Sequence, residues 1–368
     1  MQIFWLLLVA GGCAVLQGML FRLVGLRALT YRRAFSQAHA YAGEQVLLTE
    51  VLENRAPLPL PWLRAESRIS PSLRFGTVAD GDERTVSGDM YHCSLFFMGG
   101  FSRITRRHPV TLLHRGYFSA SSVALSCGDL FGLQASARLQ DTGACIEVYP
   151  RLLPAQEIPP MCRRFLGDVL VRRFIEPDPF LVSGIRAYRP GDALREVNWR
   201  ATARMSELQV NTFDFTADPR LLVVLNVQRA ENQWDNLSPA ELDAVERGLS
   251  LAATLCLQAV EQGAEAGFAA NTDTRADEGL CVYLPPRRTH AQAEALLSLF
   301  ARLTLRRARG FPTMLEQMTP PADADILILS LYESATIARA MAGLRARGHR
   351  VALQLLSGGD AHAADASA

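Results

Sequence analysis

The chain changes its period between Pro150 and Pro160, and this change constrains its fold more than any other feature. Before it, residues 41–150 carry short alternating stretches such as 45–53 and 110–113. Clusters of Gly, Pro, Asp and Ser separate them near 54–61, 79–82, 99–100 and 127–129. Alternation with a period of two turns one face of each strand inward, and turns at this spacing predict a β-sandwich of about seven strands. The run Arg103, Arg106, Arg107, His108 and Arg115 has no nearby acid and reads as the wet face of an edge strand.

Beyond the proline-rich boundary, strands alternate with helices. Leu221–Val227 reads LLVVLNV, a continuous apolar run suited to a strand buried on both faces. Ser238, Pro239 and Glu241 supply an N-cap, a first-turn proline and a capping-box acid for a helix that runs to Gly263. Strands follow at 266–271 and 281–284. Thr289 and Gln292 make a second capping box for a helix ending near Gly310, where Arg302, Arg306 and Arg307 suit its negative end. Strands at 326–330 and 349–356 flank a helix over 334–347. A β-α-β series of this kind predicts an open parallel sheet.

Residues 2–21 form an uncharged run of 20 residues, the length a helix needs to span a bilayer. Only Met1 and Gln2 precede its first apolar residue, Ile3, where a signal peptide would carry a basic stretch. Arg22, Arg27, Arg32 and Arg33 follow without an intervening acid, and such clusters stay on the cytoplasmic side. The expectation is a single-pass protein of the cytoplasmic membrane, touching lipid through this helix and holding its remaining mass in the cytosol.

All 38 basic residues are Arg; the chain has no Lys. A Walker A phosphate loop, a kinase β3 lysine and a Schiff base to pyridoxal phosphate all need a primary amine, so these enzyme classes are excluded. The formal net charge of +1 offers no global field for a polyanion, which argues against nucleic acid. Seven cysteines lie at least 17 residues apart and form no C-x-x-C pair. The histidines form no H-E-x-x-H, so no sequence-local zinc site is expected, and no cofactor is expected.

The most distinctive string runs from Gly184 to Arg204. Pro190 and Gly191 suit the two central positions of a type II turn. Asp192 is placed to cap a short helix from Ala193 to Arg204, with Arg195, Asn198 and Trp199 grouped on one side.

This string closely resembles the signature of a bacterial family, domain of unknown function 58, whose pattern reads roughly R-x-Y-x-P-G-D-x-x-R-x-x-N-W-x-x-S/T-A-R. Arg186, Tyr188, Pro190, Gly191, Asp192, Arg195, Asn198, Trp199, Thr202, Ala203 and Arg204 match it. Further strings at 114–117, 128–133 and 148–151 are similar to that family's R-G-x-Y, D-P-F-G-L and V-Y-P-R, with Leu130 in place of Pro.

The resemblance implies a membrane anchor, a β-rich region and a fold similar to the von Willebrand factor type A domain. The expected class is therefore α+β multidomain. Its parts are a transmembrane helix with basic flank over 1–33, a sandwich-like domain over 41–150, a linker with the signature over 151–218, a type A-like α/β domain over 219–357 and a disordered tail over 358–368. The resemblance also implies association with MoxR-type AAA+ ATPases and other type A domain proteins, and hence a non-enzymatic scaffold or adaptor in assembly of envelope or protein complexes. The alternative is a membrane-associated hydrolase or transferase with a site assembled from distant residues.

Type A domains often hold Mg2+ through D-x-S-x-S after the first strand, because a hard cation wants several oxygen ligands. Here the aligned positions read Asn226, Val227, Gln228, Arg229 and Ala230. The carboxylate and both hydroxyls are missing, and Arg229 is expected to bring positive charge toward the metal position. A degenerate site at Asn226, Gln228 and Ala230 without metal is the reading. Within the signature, Tyr188 and Trp199 read as core anchors, with Arg195 and Asp192 tying the segment to the sheet; partner contact is the second role these types suit.

Overall fold

The computed structural model describes residues 4–5, 8–9, 11–12, 15–19, 26–76, 83–86, 89–128, 135–172, 177–215, 219–232 and 236–356. It divides into two compact units, Met1–Arg151 and Leu152–Ala368.

Among the described residues, the first unit carries three sheets. Leu29–Phe35, Gln45–Asn54, Arg103–Leu112 and Leu73–Phe75 form one, in that order. A second runs Ala135–Asp141, Ser122–Gly128, Leu60–Ile69, Asp89–Met98 and Glu83–Val86. The third joins His39–Tyr41, Cys145–Tyr149 and Gly116–Ser119, with the only parallel pairing described in this unit between the first two. Along Gln45–Asn54 the buried residues Val46, Leu48, Glu50, Leu52 and Asn54 alternate with more exposed ones, as a strand covered on one face requires. Side chains of the two larger sheets interleave in one apolar cluster that includes Leu52, Leu63, Phe96 and Leu125. Another gathers around Leu48, Ile69, Leu73, Val110 and Ile146.

The expected architecture is overturned at the amino terminus. Among the described residues no helix is long and apolar enough to cross a membrane. Residues 4–5, 8–9, 11–12 and 15–19 are helical, and the remainder of the 2–21 run lies outside the described residues. The basic flank is corrected as well. Arg32 and Arg33 lie in the Leu29–Phe35 strand, and Arg33 is buried against Glu50.

In the second unit a five-stranded sheet has the order Val282–Arg287, Glu265–Ala270, Arg220–Leu225, Asp325–Ser330, Arg350–Leu355. Leu221, Val223 and Leu225 face a cluster filled by Pro160–Arg172, Pro239–Glu261 and His290–Arg302. Leu222 and Val224 face the opposite cluster, with Phe311–Gln317 and Ala335–Ala346. Successive residues of the central strand thus serve two helical layers, which is why it has no polar face.

The wholly parallel sheet of the type A expectation is corrected too. Four strands are parallel, but Val282–Arg287 runs antiparallel to Glu265–Ala270 at one edge. The connection from Asn271 to Cys281 holds no crossover helix, and parallel pairing needs one. Close approach at this edge uses Gly267: a Cβ there would lie 2.5 Å from the Pro286 nitrogen. The helix expected to reach Gly310 stops at Arg302, and Leu303–Arg307 instead pairs with Thr272–Thr274. Nor do Thr289 and Gln292 form a capping box. The Gln292 side chain is drawn inward to donate to the carbonyls of Ala266 and Pro285.

Candidate functional site

Pro177–Ala187 and Gln209–Phe215 form an antiparallel pair, and the Gly184–Arg204 string spans its end and connection. Gly191 has φ of 111°, and the Asp192 amide donates to the Arg189 carbonyl at 3.0 Å, so Pro190 and Gly191 occupy the centre of a tight turn.

Asp192 does not cap a helix. Its two carboxylate oxygens accept from Arg186 Nη1 and Nη2, each at 2.7 Å, and Oδ2 also accepts from the Arg189 amide at 2.8 Å. The Arg186 hydrogen bonds, then the Arg189 amide, hold this carboxyl down at about 2. A carboxylate so thoroughly ionised is a structural clamp and a poor general acid.

The expected single helix over 193–204 is corrected to a 3-10 turn at Leu194–Glu196 followed by a helix at Trp199–Met205. Asn198 is the cap: its Oδ1 accepts from the Ala201 amide at 3.0 Å while its Nδ2 donates to Asn211 Oδ1 at 2.8 Å. Thr202 Oγ1 accepts from the Gln209 amide at 3.0 Å, tying the helix to the returning strand. Because the backbone breaks at Asn198, the spacing that would group Arg195, Asn198 and Trp199 on one helical face does not apply.

The signature therefore divides by role. Arg186, Asp192, Asn198 and Thr202 hold the element together, with Val197 and Val210 buried beneath it. Trp199, expected as a core anchor, is 67% exposed. The Arg195 side chain is 86% exposed and lies 3.8 Å from Glu196, so it does not tie the segment to the sheet. Leu194, Arg200, Arg204 and Met205 are exposed as well, and Tyr188 is half-buried.

At the end of the central strand, Asn226, Gln228 and Asn271 form a buried amide knot. Asn226 Oδ1 accepts from the Gln228 amide at 3.0 Å and from Asn271 Nδ2 at 3.1 Å, and its Nδ2 donates to Ser330 Oγ at 3.0 Å. Gln228 Oε1 accepts from the Phe311 amide at 2.8 Å, while its Nε2 donates to the carbonyls of Ala230 and Glu231. Arg229, expected to face this position, turns instead to Glu241 at 3.5 Å. Sequence reasoning missed Asn271; an amide directly after the apolar strand 265–270 was the available signal.

Two cavities flank the Val282–Arg287 edge strand, and Cys281 and Tyr283 contribute to both. Burial pushes the Cys281 thiol up, away from the thiolate a nucleophile needs. Neither cavity is lined by a residue of the 184–204 string. The matching string at 128–133 lies, apart from Gly128, outside the described residues, as does the 358–368 tail.

Residues 184–357 match the family model described as "Protein of unknown function DUF58". The chain is 22% identical over 276 residues to the uncharacterized protein YeaD of Bacillus subtilis (strain 168), covering 72% of this chain and 61% of that one. It thus spans about three fifths of the length of that curated relative. Among solved structures, the seventh ScaB type I cohesin of Pseudobacteroides cellulosolvens is 12% identical, with 34% of this chain and 95% of that chain covered at a TM-score of 0.21. Trypsin-activated alpha-2-macroglobulin from Escherichia coli is 15% identical, with 46% and 9% covered at a TM-score of 0.24. Likenesses this slight carry no functional argument.

Proposed function

We propose that this chain is a non-enzymatic docking protein whose 184–205 element contacts a protein partner. The partner class is a MoxR-type AAA+ ATPase, and the work is assembly of protein complexes. What carries this reading is the exposure of Trp199, 67% of whose surface is free, on an element that Arg186, Asp192, Asn198 and Thr202 hold together. Aromatic and arginine side chains dominate interface hot spots, and a rigid base reduces the entropy lost on binding. Arg195, Arg200 and Arg204 surround the indole in sequence and suit a partner bearing carboxylates.

Amide hydrogen exchange of the full chain, with and without a purified MoxR-type ATPase, tests this reading. Protection on binding should concentrate at residues 194–205. Binding that protects other segments and leaves this one unchanged contradicts it.

A further inference from the structure

A polar layer crosses the middle of the apolar core in the first unit. Along Gln45–Asn54 the buried positions run Leu48, Glu50, Leu52, and along Leu60–Ile69 they run Leu63, Ala65, Ser67, Ile69. Leu52 and Ala65 belong to one apolar cluster, Leu48 and Ile69 to the other. Between them lie Glu50 and His92, 1% and 2% exposed, with Arg33 and Ser94. Burying such groups is costly, so their arrangement calls for a reason.

The two oxygens of Glu50 are used differently. Oε1 accepts from the Tyr31 hydroxyl at 2.7 Å and lies 3.5 Å from Arg33 Nε. Oε2 faces His108 Nε2 at 3.2 Å and Ser94 Oγ at 3.5 Å. Ser94 Oγ in turn lies 3.0 Å from His92 Nε2. Phe75 stacks on the His92 ring at 4.6 Å and holds its plane. One ligand atom from each of Glu50, His92 and His108 lies within 4.8 Å of the other two.

We propose that Glu50, His92 and His108 form a binding site for a divalent transition-metal ion, with Zn2+ the best chemical match. Two imidazoles and one carboxylate are a borderline donor set, and three protein ligands leave a position open. Mg2+ and Ca2+ want mainly oxygen and are poorly served. Zinc bonds of roughly 2.0–2.2 Å in a tetrahedral shell place ligand atoms about 3.3–3.5 Å apart. The Glu50 to His108 separation of 3.2 Å already meets this, and His92 closes in once Ser94 Oγ gives way.

Tyr31 and Arg33 orient the carboxylate from behind, as outer partners of metal ligands do. Because Arg33 balances the Glu50 charge, the ion brings net positive charge into a buried site. An anion, hydroxide above all, then belongs at the open position. No local motif announces the site, since its ligands come from three strands distant in sequence.

The test is a titration of the chelator-stripped full-length protein with Co2+, followed by Zn2+ competition. A tetrahedral nitrogen and oxygen site gives d–d absorption, whereas binding at cysteines adds a thiolate charge-transfer band. One saturable equivalent without that band, displaced by Zn2+, is the expected result. His108→Gln, at the more accessible side of the cluster, should lower affinity by at least about 100-fold with an unchanged circular dichroism spectrum, and Tyr31→Phe by about 10-fold. Absence of a d–d spectrum, a thiolate band, or unchanged affinity in folded His108→Gln overturns the proposal. Should that variant not fold, X-ray absorption of the Zn2+-loaded unmodified protein decides: a shell of two imidazoles and oxygen without sulfur supports the site, and any other shell overturns it.

Discussion

Arg186 grips Asp192 through two parallel hydrogen bonds of 2.7 Å, closing the Pro190–Gly191 turn from its inner side. The geometry is bidentate, which an arginine fork permits and an ammonium does not, so the all-arginine composition of the chain is put to use here.

The grip sets a pH window. Asp192 is held at about 2, below the ordinary value of 3.8, so its contribution is complete above about pH 4 and is lost as pH falls toward 2. A carboxyl carbon titration by NMR should place its midpoint near 2. A midpoint near 4 would mean that the pair is open in solution.

Ser238 begins the Pro239–Glu261 helix. Its hydroxyl accepts from the Glu241 amide and its own amide donates to the Glu241 carboxylate at 2.8 Å, a full capping box. Ser238→Ala should cost about 0.5–2 kcal/mol. Urea unfolding with an unchanged slope and a lowered midpoint is the expected result; an unmoved midpoint would show that tertiary burial alone sets this helix start.

Asn226 uses both ends of its amide inside the protein. Asn226→Ala removes the acceptor for the Gln228 amide, and a buried donor left without its partner costs roughly 1–3 kcal/mol, while Asn271 Nδ2 keeps Gln228 Oε1 at 3.1 Å. Calorimetric titration of the unmodified protein with Mg2+ should show no saturable heat, since the amide oxygen is already committed to two donors. Micromolar binding lost in Asn226→Ala would contradict this account of the knot.

How much of this was legible follows from which interactions are local. The capping box at Ser238 is written in four consecutive residues, and the Pro190–Gly191 turn in two. The 221–225 run announces a strand without a polar face. The end of the His290–Arg302 helix was not legible, because Leu303–Arg307 is claimed by pairing with Thr272–Thr274, a partner the local pattern cannot name. Trp199 misled for a similar reason. A large indole reads as core by type, while its exposure depends on where the backbone breaks at Asn198. The Glu50, His92 and His108 cluster was invisible, because strand register brings together residues that no spacing rule connects.

The central claim is that the signature divides into residues that hold the element and residues that meet a partner. The most direct measurement pairs thermal unfolding of Trp199→Ala with its affinity for the MoxR-type ATPase. For an indole that is 67% exposed, the melting temperature should shift by no more than a degree or two, while binding should weaken by roughly 2 kcal/mol or more, about 30-fold. A variant that melts many degrees lower, or that binds as tightly as the unmodified chain, would contradict the division.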